Sequence, residues 1–477
     1  TAEPICVAQA ACDARLSVSA TSVRQGGPVS VTVEGTGLVT ADVVGVLLRD
    51  AAGTNVATLE GAARRSSRDA RLDVELTLPH SVAPGEYTLV LPVRLDSSER
   101  SFEAPIRISF ISVSPTGSDA SRGTRDAPFA TLARAFAVAG KGDTVDLAGD
   151  ATYGSADAGA RLSLPAGLTL QSDRRRATVH AALDLAGDAT IRGVELTTLD
   201  AHLRHPRTWV TLDDVRVDEG GPAGALVVEA SAWGSTIFIQ GKSTLTATDV
   251  PLVASFADDV TLNVLARSTL ETSHAAEAIV SHGRAASLNL GDGIAPVSIL
   301  SWGKDALFED GGEAQINVRG AAFAGFLHVA GDETNVSAVE AKFNASGWEL
   351  TAGIRFAGAH MFVSDSEFHG MGIEQNRAQS QVTLRRVRFS YQSWGYHLTA
   401  GSLDLGHGQN PGYNEFRGDD DSAVALWIDG EDGASAVTSC MSKVDGDVPT
   451  PFTAAEPTVQ GTVLKLEARD SVVFYAE

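Results

Sequence analysis

Ser235-Thr236-Ile237-Phe238-Ile239, Val260-Thr261-Leu262-Asn263-Val264 and Ala286-Ser287-Leu288-Asn289-Leu290 are copies of one short pattern. Apolar residues alternate with polar ones, the period of a strand with one buried face. The steps from Thr211 to Thr236, Thr261 and Ser287 are 25, 25 and 26 residues. Further copies are Val210 to Val217, Ala314 to Val318, His360 to Val363 and Val382 to Phe389. A period near 25 with strands and no helical pattern predicts stacked β coils over about 166–430. Ten or so coils at ~4.8 Å each make a rod on the order of 50 Å long. Ile, Val, Leu and Phe stack inward, and Thr, Ser, Asp and Arg face out.

Upstream, residues 14–112 read as a different all-β unit. Val29 to Val33 alternates, and Leu72 to Leu78 places four apolar residues on one face. Ala83-Pro84-Gly85 turns into Glu86-Tyr87-Thr88-Leu89-Val90-Leu91, and Ile106, Ile108 and Phe110 close the series. Short strands at this spacing predict an antiparallel sandwich. Gln25-Gly26-Gly27-Pro28, Glu34-Gly35-Thr36-Gly37-Leu38 and Ala83-Pro84-Gly85-Glu86-Tyr87 resemble the immunoglobulin-like domain shared by plexins and some transcription factors. That resemblance implies a fold and carries no chemistry.

The second domain opens on Val113-Ser114-Pro115-Thr116-Gly117-Ser118-Asp119, then Pro128-Phe129-Ala130-Thr131-Leu132, then Gly142-Asp143-Thr144-Val145 and Tyr153. Late in the chain stand Leu403-Asp404-Leu405-Gly406 and Asn410-Pro411-Gly412-Tyr413-Asn414-Glu415-Phe416. Both segments resemble secreted bacterial right-handed parallel β-helices of the pectate-lyase-like superfamily. The resemblance implies a short helix over 133–139 that caps the open end. Asp150-Ala151-Thr152-Tyr153 departs from the family's usual Pro-Gly-x-Tyr. The expected order is an N-terminal tail (1–13), an Ig-like sandwich (14–112), a right-handed parallel β-helix (113–445) and closing strands (446–477).

The 477 residues are 43% apolar, enough for a core. Lys and Arg (37) against Asp and Glu (60) leave a net charge of −23, which argues against a nucleic-acid partner. No apolar run is long enough for a membrane span. The three cysteines, Cys6, Cys12 and Cys440, form no CxxC pair. Cys6 and Cys12 are close enough to close a disulfide loop, as in an oxidising compartment; three reduced thiols is the other reading. Thr1 in place of Met suggests a processed or trimmed start. The expected location is secreted or on the outer cell surface.

The search for chemistry yields few sets. A lyase needs Ca²⁺ carboxylates and an Arg or Lys base. Arg385, Arg386 and Arg388 read as one strand, with Arg386 and Arg388 on one face and Arg385 opposite. Asp213-Asp214, Asp258-Asp259 and Gly406-His407-Gly408 lack the companion motifs of the hydrolases. Asp119, Asp126 and Asp143 sit in turns, which favour Asp. His202 and His205 have no third ligand, and Arg417-Gly418-Asp419 is a bare tripeptide. Asp419, Asp420, Asp421 and Asp429, Glu431, Asp432 offer oxygens suited to Ca²⁺, or are solvated acidic turns. No other cofactor is expected.

Trp302, Trp348 and Trp394 are spaced 46 and 46 residues apart, each beside a Gly. That predicts equivalent places on alternate coils. Rings pointing out form a strip for sugar stacking, and rings pointing in plug the corners. The chain reads first as a non-catalytic structural or adhesive protein. A carbohydrate-active enzyme, on fold analogy, and a glycan-binding module, on the tryptophans, are the alternatives. A polysaccharide or another surface protein is the expected partner.

Overall fold

A computed structural model describes residues 15–454 apart from 19–21, 24–27, 35–41, 44, 60, 66–70, 80–81, 96–97, 155–160, 173–174, 274–275, 303–304, 345–352, 371, 392–393, 407–409, 411, 419–423, 429–434, 440–442 and 446–451. The described chain is all-β except for one short helix, and its main body is a parallel β-solenoid of about ten turns. Two compact units divide it, 1–154 with 167–177, and 155–166 with 178–477.

The first unit begins with two small antiparallel sheets. Pro28–Glu34 lies between Arg15–Val18 and Arg71–Thr77, with Gly61–Arg65 outside. Gly85–Leu95 lies between Ser98–Ile108 and Val46–Arg49. Val31, Val33, Val74, Leu76, Leu89, Leu91, Ile106 and Ile108 share one buried cluster. The alternation in the sequence therefore marks the inward faces.

The same unit then starts parallel pairing. Phe110–Val113, Thr144–Leu147 and Leu168–Gln171 stack in register. The helix Leu132–Val138 buries Leu132, Ala135 and Phe136. Its N-cap is Thr131, whose hydroxyl accepts the Arg134 N–H. Asp119 braces that cap by accepting from the Ala130 and Thr131 N–H groups and the Thr131 hydroxyl. Asp143 is buried and accepts a two-pronged bond from Arg107, at 2.8 Å on each oxygen, and the Gly140 N–H. Tyr153 is buried too. Its hydroxyl donates to the Val113 carbonyl and accepts the Ala148 N–H, and burial pushes its pKa up to about 12.

In the second unit each full coil carries three strands. One ladder includes Val194–Leu199, Arg216–Gly220, Thr244–Thr248 and Thr269–Ser273. A second begins Ala201–Leu203, Leu226–Val228, Val253–Ser255 and Ile279–Ser281. A third begins Ala189–Arg192, Trp209–Asp213, Thr236–Gln240, Thr261–Val264 and Ser287–Leu290. Inward from the first ladder, Phe323, Phe343, Phe368, Phe389 and Phe416 form one continuous stack with centroids 4.5–5.1 Å apart.

The corner from the third ladder to the first is a left-handed backbone residue repeated on many coils. Asp214, Lys242, Glu340, Asp365 and Arg386 have φ of 52–74°. The N–H of each bonds a carbonyl of the next coil. This corner corrects two expectations. Val210 to Val217 and Val382 to Phe389 are each two strands with a bend between them, because Asp214 and Arg386 turn the chain. The face rule for Arg385, Arg386 and Arg388 therefore fails. Arg385 ends the strand Ile373–Arg385 and is buried on Asp404, Arg386 pairs with Asp365 at the corner, and Arg388 opens the next strand. The first coil step also differs. Trp209 pairs with Thr236, and Thr211 pairs with Phe238 two residues on. The steps from Thr236 to Thr261 and Ser287 stand as read.

The late motif has a structural task. Asn414 is fully buried. Its amide nitrogen donates to the Leu384 and Leu405 carbonyls, and its oxygen accepts the Val387 N–H. A Cβ on Gly412 would stand 1.5 Å from the Leu405 oxygen, so only glycine fits there.

Candidate functional site

Three outward faces follow from the three ladders. On the first, charges alternate up the stack: Lys342, Glu367, Arg388 and Glu415 stand in register, with contacts of 3.5–3.7 Å. These exposed pairs neutralise one another and add little stability individually.

The second face carries rings and imidazoles. Phe256 stacks on His282 at 5.2 Å, His282 meets Phe308 edge-on at 6.0 Å, and Phe308 meets His328 at 5.0 Å. Each imidazole shares a hydrogen bond through Nδ1 with a carboxylate, His282 with Asp310 and His328 with Asp305. Arg355 lies over Phe326 at 4.1 Å and contacts Glu374 at 3.5 Å. Beneath this face Glu309 is fully buried and accepts from the Gly312 N–H and the Thr334 hydroxyl. Burial raises its pKa, offset in part by those bonds.

The third face is unlike the others. Two outward columns run up it in register. One is Trp209, Thr236, Thr261, Ser287, Gln315, Asn335, His360 and Gln381. The other is Thr211, Phe238, Asn263, Asn289, Asn317, Ser337, Phe362 and Thr383. Over these eight coils neither column contains Asp, Glu, Lys or Arg, although the chain has 97 of them, 37 basic and 60 acidic; Asp404 follows Thr383 in the second column, and Arg192, Asp213 and Arg319 end strands of the same ladder. Three asparagines join side chain to side chain: Asn317 donates to Asn289 and Asn289 to Asn263, each at 3.0 Å. Above them a shallow groove of about 200 Å³ crosses the next coils, lined by Gln315, Asn317, Asn335, Ser337, His360, Phe362, Gln381 and Thr383 among others. Aromatic residues are exposed toward both ends, Trp209 (52%) and Phe362 (39%). Trp209 packs on Phe238 at 4.9 Å and its indole N–H donates to the Thr211 hydroxyl. Amides and hydroxyls in rows, with aromatic faces between them, suit the hydroxyls and C–H faces of a sugar chain.

The predicted tryptophan column does not form as expected. Trp302 directly follows Val297–Ser301, while Trp394 opens Trp394–Leu405. Tyr396 is in register with Ile373, Ile354, Leu327 and Leu307. Trp394 therefore stands level with Asp305, three residues past Trp302. Equal intervals fail here because coil lengths vary. Trp302 is 41% exposed and its indole N–H donates to Glu271 at 2.9 Å. Trp302→Ala is expected to cost about 1 kcal/mol, well below the ~3–5 kcal/mol of a core truncation, measured as a shift in the urea midpoint. Trp348 and the Trp394 side chain lie outside the described residues. So do Cys6, Cys12, Cys440, His407, Asp419, Asp420, Asp421, Asp429, Glu431 and Asp432.

The acid doublets occupy corners. Asp213 accepts from Arg192, Asp258 accepts the Arg284 N–H, and Asp214 and Asp259 hold left-handed turns. His202 lies between Glu229 and Asp200, at 3.1 and 3.2 Å. Among the described residues no three of His, Cys, Asp and Glu gather as a metal site. Among them, too, no helix is long and apolar enough to cross a membrane.

Sequence reasoning missed the third face. Its signal was present in the quoted strands, where Thr236, Asn263 and Asn289 alternate with apolar residues. Reading it needed the register of every coil. The chain matches no family model and no curated protein.

Proposed function

We propose that the chain is a non-catalytic adhesive protein of the cell exterior that holds a neutral polysaccharide on the third face of its solenoid. The observation that carries this is the pair of uncharged columns in a chain of net charge −23. An anionic polymer would meet repulsion from the whole molecule, whereas a neutral one loses nothing to it. Amide groups pair with sugar hydroxyls, and Phe362 offers a face to a sugar ring. On the other faces the carboxylates and bases are spent on each other, as in Lys342–Glu367–Arg388–Glu415 and His282–Asp310. That suits a surface built to persist.

The family reading belongs to the same proposal: a right-handed pectate-lyase-like β-helix behind an Ig-like sandwich, exported with Cys6 and Cys12 closed. It is supported by the work its motif residues do. Thr131 caps the helix, the Tyr153 hydroxyl links the Val113 carbonyl to the Ala148 N–H, and Asn414 seals a corner.

Electrophoresis in gels containing neutral or uronate-rich polysaccharide tests the reading. Neutral polymer is expected to retard the protein, and Phe362→Ala to weaken that binding by at least the roughly tenfold worth of one ring contact, ~1.4 kcal/mol. Retardation by the uronate polymer alone, or release of reducing or unsaturated ends from either, would overturn it.

A further inference from the structure

The third face has aromatic platforms at two places rather than one, and this sets the form of ligand it takes. One is Trp209 with Phe238 packed on it; the other is Phe362 beside His360. Phe238 and Phe362 stand in the same column, separated by Asn263, Asn289, Asn317 and Ser337. Five inter-strand steps of ~4.8 Å put them ~24 Å apart along the solenoid axis. The residues between are polar, and the asparagines among them are fixed by their own hydrogen bonds.

Resting on the reading above, we infer that this face binds a long, unbranched neutral polysaccharide laid parallel to the solenoid axis, with both platforms engaged by one chain. The rows of amides and hydroxyls repeat at the strand spacing, so they offer partners at every step along an extended chain and none in a fixed pocket. A branch would lift the chain from a groove this shallow. A short oligosaccharide reaches one platform only. A chain that spans ~24 Å reaches both, and its second contact forms at the high effective concentration set by the first.

The consequence is a threshold in length. Titration calorimetry of the full chain with β-1,4-linked glucose and mannose oligosaccharides, from dimer to polymer, reads it. Affinity is expected to rise by a hundredfold or more once the oligosaccharide spans both platforms, within the range that linked contacts give. Trp209→Ala and Phe362→Ala should each return the long chain to the affinity of a short one, while Trp209→Phe keeps most of the gain. Thermal melts check that the variants are folded; Trp209 is more than half exposed, so truncation there leaves the core intact. Affinity that is flat with length would overturn this inference and leave neutral-glycan binding standing. Binding of no neutral oligosaccharide or polymer would overturn both. Equal affinity for branched and unbranched long chains would overturn the flat, axial placement.

Discussion

Phe368→Ala is expected to destabilise the solenoid by about 3–5 kcal/mol, the range for truncating a buried aromatic side chain. Phe368 is 1% exposed and lies in the middle of the five-ring stack, 4.5 Å from Phe343 and 4.8 Å from Phe389. Its removal leaves a gap with a ring on either side. Both neighbours are held by their own strands, so the gap cannot close. In a solenoid each coil is stabilised by its neighbours, so the loss separates the coils on either side of it. Phe368→Leu should recover part of the loss, since it refills volume without restoring the stack. Urea unfolding followed by circular dichroism measures both. A Phe368→Ala midpoint equal to that of the unaltered chain would show that the stack contributes nothing.

Asp404→Ala should cost about as much, ~3–5 kcal/mol, for a different reason. Arg385 is 3% exposed, and its guanidinium reaches Asp404 at 2.6 Å while also donating to the Leu384 and Asp404 carbonyls. Removing the carboxylate leaves a buried positive charge without its counter-charge. Asp404 also accepts the Gly406 N–H, so the turn after the strand loses a partner as well. The double change Arg385→Met with Asp404→Ala should be less harmful than Asp404→Ala alone, because the stranded charge is gone. A double variant as unstable as the sum of the two single ones would contradict this account.

Much of the fold is legible in the sequence for a physical reason. Strand alternation has a period of two, so Val29 to Val33 and Leu72 to Leu78 reveal their inward faces without any long-range information. The step from Thr236 to Thr261 reveals the coil in the same way. What escapes is whatever depends on the corners. Asp214 and Arg386 look like strand residues until their left-handed backbone is seen, and a hidden corner moves each following residue to another face. The Phe stack escapes too, because Phe323, Phe343, Phe368, Phe389 and Phe416 are separated by 20 to 27 residues. The same variation in coil length puts Trp302 and Trp394 out of step despite their even spacing in the sequence. The binding face was hardest to see. Its members are unremarkable singly, and only stacking makes Asn263, Asn289 and Asn317 neighbours.

The central claim is that two uncharged columns hold an uncharged ligand, and the salt dependence of binding tests it most directly. Calorimetric titration with one long neutral polysaccharide, at low and at high salt, should give the same affinity, because no ion pair forms for salt to screen. An affinity that falls steeply with salt, or one seen only with an anionic polymer, would contradict it.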